Sequence, residues 1–249
     1  MRDRRARSNL WLRAQNRLKK AAAGLPFSLE SVWPGVPNDL FVAHCSIYRF
    51  FGEFVPGQRV LDAACGTGYG TYEMAAAGAS SAVGIDRDAG AVRYAKRAYG
   101  GGRVDFRCAD LSVVRFPPNS FDVVASSNTL EHLDDPGEFV ARAGSWLSDA
   151  GLLLVAVPPI YSAADLDMHA ENPFHASNLS ATEWWSLFVS SGWTPQLFRH
   201  RYLGLAPLDF SSPRRSNAQV EDFEFSQVGL EQFYEAPSIT AVFVLKKSR

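Results

Sequence analysis

Three aspartates stand at equal intervals, Asp62, Asp86 and Asp110, each 24 residues after the one before. The first lies inside VLDAACGTGYGT, Val60 to Thr71, where a hydrophobic run gives way to glycines at alternate positions, Gly66, Gly68 and Gly70. Glycines at such a place let a loop turn sharply and bring its N–H groups against a ligand, with the N-terminus of the following helix pointing the same way. Asp62, four residues ahead of the first glycine, would repel a pyrophosphate and attract a cation. An acid at the end of a second strand can accept both hydroxyls of a ribose, and one a strand further on can take the amino group of an adenine. The combined set suits an adenine nucleoside that carries positive charge.

The spacing sets other nucleotide loops aside. A dinucleotide fingerprint needs a small residue at position 71 for close contact between helix and strand, and the chain has Thr71 there. A phosphate loop of the Walker type needs Lys followed by Ser or Thr, which this loop lacks.

Five histidines, His44, His132, His169, His175 and His200, supply the candidates for proton transfer. His132 follows Glu131 just beyond the fourth apolar run, where a catalytic base and an architectural histidine are both open readings. His169 and His175 lie in PPIYSAADLDMHAENPFHASNLS, a polar stretch expected to cover a site as a loop and to present side chains to a substrate. Asp165, Asp167, His169 and Glu171 alternate there in the manner of a hard-metal site, but solvated acids on a loop account for them more simply, and no metal is expected. His44 and His200 have weaker claims.

The elements that must position these groups begin with a helix capped by Asp39 and running to Phe54, its buried side formed by Phe41, Ile47, Tyr48, Phe51 and Phe54. Short apolar runs then follow at 59–62, 82–86, 104–107, 121–126 and 152–157, each separated from the next by enough chain for a crossover helix, which predicts a parallel sheet of βαβ units. Near-continuous apolar runs such as LLLVAV are what a sheet covered on both faces requires. A helix over 181–191 and two late strands near 195–202 and 240–246 complete the reading. Trp184 and Trp185, adjacent on that helix, cannot share a face, so one is expected in the core and the other partly exposed.

VLDAACGTGYG, GID, CADL and SFDVVASSNTLEHLDDP, in that order and spacing, closely resemble the class I S-adenosylmethionine-dependent methyltransferases, particularly the group that includes ubiquinone-biosynthesis and small-molecule enzymes. The resemblance covers residues 37–204. It implies an α/β, Rossmann-like fold: a seven-stranded, mostly parallel sheet with helices on both faces and an antiparallel late strand. It also implies S-adenosylmethionine as cofactor, with Gly66 and Gly68 at its methionine part and Asp62 at the start of the loop. Asp86 would hold the ribose hydroxyls, Arg87 would flank the adenine, Asp110 with Leu111 would meet the adenine edge, and Ser127 and Asn128 would close the site. A looser resemblance of the helix bearing Asp39, His44 and Tyr48 points to enzymes that methylate sugars of polysaccharides or antibiotics.

Methyl transfer from a sulfonium is an in-line displacement that asks the protein mainly for alignment in a dry site. A base such as His132, His169 or His175 is useful when the acceptor is a hydroxyl. The organisation expected is a basic arm and lid loop over 1–38 and a methyltransferase domain over 39–249, with substrate-covering insertions near 158–180 and 204–237. Trp33, the segment after Tyr202 and the acids between Glu221 and Glu235 are the expected determinants of the acceptor, the acids favouring an amino-bearing one.

The whole composition, 249 residues with 47% hydrophobic and 20% charged, fits one such domain. Residues 1–20 carry eight Arg or Lys and one Asp, leaving −8 on the rest of a chain whose net charge is −1. That arm keeps open an RNA or other nucleic-acid methyltransferase. Against it, Ser127-Asn128-Thr129-Leu130 stands where the amino-methylating nucleic-acid enzymes carry Asn/Asp-Pro-Pro-aromatic. The favoured reading is methyl transfer to oxygen or nitrogen of a small molecule, a sugar or glycosylated natural product as in antibiotic biosynthesis, with nucleic acid disfavoured and a non-catalytic cofactor-binding protein as a further alternative. No apolar run suits a membrane or a secretory signal, so a cytoplasmic protein is expected. A homodimer is compatible with so aromatic a chain. Cys45, Cys65 and Cys108 are expected as buried, reduced thiols.

Overall fold

The computed structural model describes residues 32, 34–35, 37–172, 174–210, 212 and 214–248. The basic residues of the arm, all within 1–20, and Trp33 lie outside the described residues.

Helix α1 (Asp39–Phe51) leads into the sheet. Its cap is Asn38 rather than Asp39, since the Asn38 side chain accepts the Phe41 N–H; the helix stops at Phe51 and tightens into a 3-10 turn over Gly52–Phe54. Then follow β1 (Arg59–Ala63), α2 (Tyr69–Ala76), β2 (Ser81–Asp86), α3 (Ala89–Tyr99), β3 (Val104–Cys108), β4 (Phe121–Ser127), α4 (Pro136–Trp146) and β5 (Leu147–Val157). The last part comprises α5 (Ala163–Glu171), α6 (Ala181–Ser190), β6 (Trp193–Tyr202), β7 (Phe223–Val228), α7 (Leu230–Phe233) and β8 (Ala241–Lys247).

The strands form one sheet in the order β3-β2-β1-β4-β5-β8-β6-β7, parallel from β3 to β5 and antiparallel in each later pairing. The Rossmann-like expectation holds, with eight strands in place of seven. The addition is β7, whose FEFSQV turns Phe223 and Phe225 toward His200 on β6. A second difference lies between β3 and β4, where residues 109–120 cross without a helix. Pro117 and Pro118 deny that stretch the backbone donors a helix needs. A third is α5, nine residues inside the stretch expected to be loop, started by Ser162, whose side chain accepts the Asp165 N–H.

Alternate residues along each strand enter opposite layers. Leu61, Val124, Leu153, Val155 and Phe243 pack with Phe139, Trp146, Trp184 and Phe188 of α4 and α6. Val60, Val123, Leu154, Val242 and Val244 pack with Ile47, Phe51, Met74 and Val92 of α1, α2 and α3. Both faces are thereby covered, as the unbroken apolar runs require. Chain order reverses between β1 and β4, so the crevice outside their carboxyl ends is where an open α/β sheet binds its ligand.

Candidate active site

β1 runs out at Ala63, and the loop after it uses left-handed backbone at Ala64, Gly66 and Gly68, with φ of 66°, 53° and 86°. Gly68 is the residue from which α2 starts. Ahead of the loop, Asp62 is fully buried; its carboxylate accepts the Thr71 hydroxyl at 2.6 Å and the Tyr48 hydroxyl at 3.2 Å. Burial pushes Asp62 up to about 7, against the pull of those two donors. A cationic ligand beside it would restore its charge. Thr71, the residue that argues against a dinucleotide, still allows close packing because the small residue sits on the facing strand. A side chain on Gly84 of β2 would come within 2.7 Å of the Thr71 hydroxyl.

The Asp86 carboxylate accepts the N–H groups of Gly66 at 2.9 Å and Asp88 at 2.8 Å, so it already clamps the glycine loop to the end of β2. Burial raises its pKa. Asp110, one strand further out, is exposed and held below the ordinary carboxylate value by the Ser112 N–H and hydroxyl, both bonded to it. Arg87 is exposed, and its carbonyl accepts the Cys108 thiol at 3.7 Å; Leu111 is buried. Cys108 is thus an exposed thiol and Cys45 only half-buried, against the expectation; Cys65 is buried. At the end of β4, Ser127 is buried, and Asn128, in left-handed backbone, brings its amide to 3.4 Å from the Ser127 hydroxyl and 3.5 Å from His44 Nε2. Val32 lies across the loop, its carbonyl accepting the Thr67 hydroxyl.

Three histidines far apart in sequence converge. The His132 and His175 rings lie 5.0 Å apart, and His169 stacks on His175 at 5.3 Å. Burial, with the neighbouring His132 and His169, lowers His175 to about 4, and burial lowers His169 as well. Beneath them sits Glu131, buried and pushed up to about 8 by that burial. Sequence reasoning passed over Glu131, although an acid directly after an apolar strand and beside a histidine was a visible signal. It also ranked His44 low, yet α1 sets His44 against Asn128, where burial lowers it to about 4. His200 stands apart, fully buried, bonded to the Ser46 hydroxyl at 2.9 Å and stacked on Phe225.

Other candidates separate. Asp165 turns back on its own helix start, accepting the Tyr161 N–H and the Ser162 hydroxyl. Among the acids expected to favour an amino-bearing acceptor, Glu221 pairs with Arg49 and Glu224 with Arg201. Trp184 is buried and Trp185 half-buried, as expected.

The donor set fits an adenosyl sulfonium: a buried acid behind the glycine loop, a partly buried acid at the next strand end, an exposed acid beyond it, and hydroxyl and amide groups from β4. Comparison with known proteins agrees. Residues 61–155 match a methyltransferase-domain family. The chain is 32% identical over 191 residues to a probable S-adenosylmethionine-dependent methyltransferase of Mycolicibacterium smegmatis, covering 75% of this chain and 73% of that one. It is 37% identical over 103 residues to phosphoethanolamine N-methyltransferase 1 of Arabidopsis thaliana, covering 41% of this chain and 21% of that one. Its fold matches an S-adenosylmethionine-dependent methyltransferase of Thermotoga maritima, described as a possible histamine N-methyltransferase, with a TM-score of 0.63 at 16% identity over 84% of this chain and 91% of that one. No helix among the described residues is long and apolar enough to cross a membrane. The glycine loop, the acids at successive strand ends and these likenesses converge: the chain belongs to the class I S-adenosylmethionine-dependent methyltransferases, and S-adenosylmethionine is its methyl donor.

Proposed function

We propose that the chain methylates an oxygen or nitrogen of a small molecule, with a hydroxyl of a sugar or glycosylated compound as the favoured acceptor. The observation that carries this reading is the convergence of His132, His169 and His175 beyond the ends of β4 and β5, with burial keeping His169 and His175 unprotonated at neutral pH. Unprotonated imidazoles can take a proton from a hydroxyl as it attacks. S-adenosylmethionine supplies an activated methyl group, and the rest of the task is to orient the acceptor and exclude water. Asp86 and Asp110 are proposed to hold ribose and adenine, with Gly66, Gly68, Asp62, Arg87, Leu111 and Ser127 around them.

The phosphoethanolamine enzyme shares about a fifth of its length with this chain, so its substrate supports a small acceptor only in general terms. Incubation with isotopically methyl-labelled S-adenosylmethionine and fractionated cell extract should place label in the small-molecule fraction, read by mass spectrometry. Label confined to RNA or DNA would sink the reading.

With an acceptor in hand, the rate should rise with pH and level off below the ordinary histidine range of about 6.5, because a base must be unprotonated and burial lowers these imidazoles. His169→Ala should flatten that rise and lower kcat roughly 100-fold. A profile identical to that of the unmodified chain would remove His169 as the base.

A further inference from the structure

Glu131 is 4% exposed, and its Oε2 has no hydrogen-bond partner. Without its proton, a buried carboxylate left this way is costly unless it meets a cation. Its own backbone arranges what surrounds it. The Glu131 carbonyl accepts the N–H groups of Ala176 at 2.8 Å and Ser177 at 2.9 Å, which pins the chain carrying His175 beside it. His132, the next residue, has Nδ1 at 3.0 Å from the Phe174 carbonyl. A carbonyl only accepts, so Nδ1 bears the proton and Nε2 offers a lone pair, lying 4.0 Å from Glu131 Oε1. An imidazole whose far nitrogen donates to a backbone carbonyl is oriented as metal-bound histidines are.

One carboxylate oxygen of Glu131 and one ring nitrogen each from His132 and His175 lie within 4.8 Å of one another. Ligand atoms around zinc, at about 2.0–2.2 Å from the ion, stand roughly 3.3 Å apart, so small side-chain rotations close the set. Two imidazoles and a carboxylate select a transition ion over magnesium or calcium, which prefer oxygen throughout.

We propose that Glu131, His132 and His175 bind one divalent transition-metal ion of the zinc class. His169 stacks on His175 just outside this set, its Nδ1 3.3 Å from His175 Nδ1. Three protein ligands leave a position open on zinc, as in catalytic sites. Glu131, His169 and His175 line a small cleft together with Pro158, Ile160 and Trp184. This deepens the acceptor reading and rests on it for the role of the ion: the metal would lower the pKa of a bound hydroxyl, with His169 left to take the proton. Binding of the ion is independent of any acceptor and is tested without one.

The full chain, stripped with a chelator, is titrated with Co²⁺ while its visible ligand-field spectrum is recorded, and Zn²⁺ is then used to displace the Co²⁺. One equivalent of Co²⁺ should bind with the intense spectrum of a low-coordinate nitrogen–oxygen site and be displaced by Zn²⁺. His132→Ala and His175→Ala, each read only if its circular dichroism matches the unmodified chain, should weaken binding at least tenfold, and Glu131→Gln likewise. Two variants at separate places in the chain guard against loss of fold in one. The proposal is overturned by an unmodified chain that gives no Co²⁺ spectrum at millimolar metal, or by folded histidine variants that bind like it. Methyl transfer surviving complete removal of metal would leave the acceptor reading standing and overturn only the role assigned to the ion.

Discussion

Gly68→Ala is expected to lower stability by roughly 3 kcal/mol and to drop the melting temperature by about 6–12 °C. Two costs add. Position 68 sits at a φ of 86°, where an alanine pays about 1 kcal/mol in steric strain. A Cβ there would also lie 2.5 Å from the Ala95 Cβ and 2.8 Å from the Phe106 ring, both of residues fully buried between α3 and β3. Neither neighbour is the free end of a flexible chain, so the loop itself must move, and cofactor affinity should fall with it. Gly57→Ala provides the control, since its φ is 76° but nothing lies within 4 Å of a Cβ. It should show the strain alone. Equal melting temperatures for the two variants would mean that the loop is not packed as described.

Asp86→Ala should weaken S-adenosylmethionine binding by about 100-fold, measured by equilibrium dialysis with labelled cofactor. A charged acceptor contributes about 1.5–3 kcal/mol for each hydrogen bond it makes, and loss of a ribose diol pair amounts to roughly 3 kcal/mol. The variant also releases the Gly66 and Asp88 N–H groups that Asp86 now holds, loosening the glycine loop. Asp110→Ala should cost much less, under about tenfold, because that carboxylate is exposed and its bonds run to Ser112. Equal losses from the two variants would count against assigning the ribose to Asp86.

The parts of this fold that sequence made legible are those with strong local pattern. Asp62, Asp86 and Asp110 occur once per strand-and-helix unit, and each strand around them is an apolar run, so the sheet and its ligand rim could be placed from spacing. β7 was hidden because FEFSQV follows a string of acids and reads as a solvated run; its partners on β6 are what make it a strand. α5 was hidden for the opposite reason. None of its residues is buried, so it has no apolar stripe, and a serine cap is all that marks its start.

Contacts between distant residues were legible least. Thr71 was informative as a residue type, but Gly84, which makes room for it, became meaningful only once β2 lay against α2. His132 and His175 are 43 positions apart in sequence, and no periodicity links them. The Glu131 carbonyl joins them through the N–H groups of Ala176 and Ser177, a backbone contact that carries no residue code. Glu131 itself is one acid among many until its burial is known.

The proposed cofactor site, formed by the glycine loop and its neighbouring acids, holds an adenosyl ligand derived from methionine. Calorimetric titration of the unmodified chain with S-adenosylhomocysteine tests it without any knowledge of the acceptor. One equivalent should bind with a dissociation constant in the micromolar range, about −8 kcal/mol, while the dinucleotide NAD gives no heat. No heat from S-adenosylhomocysteine, or binding of NAD at comparable strength, would contradict that assignment.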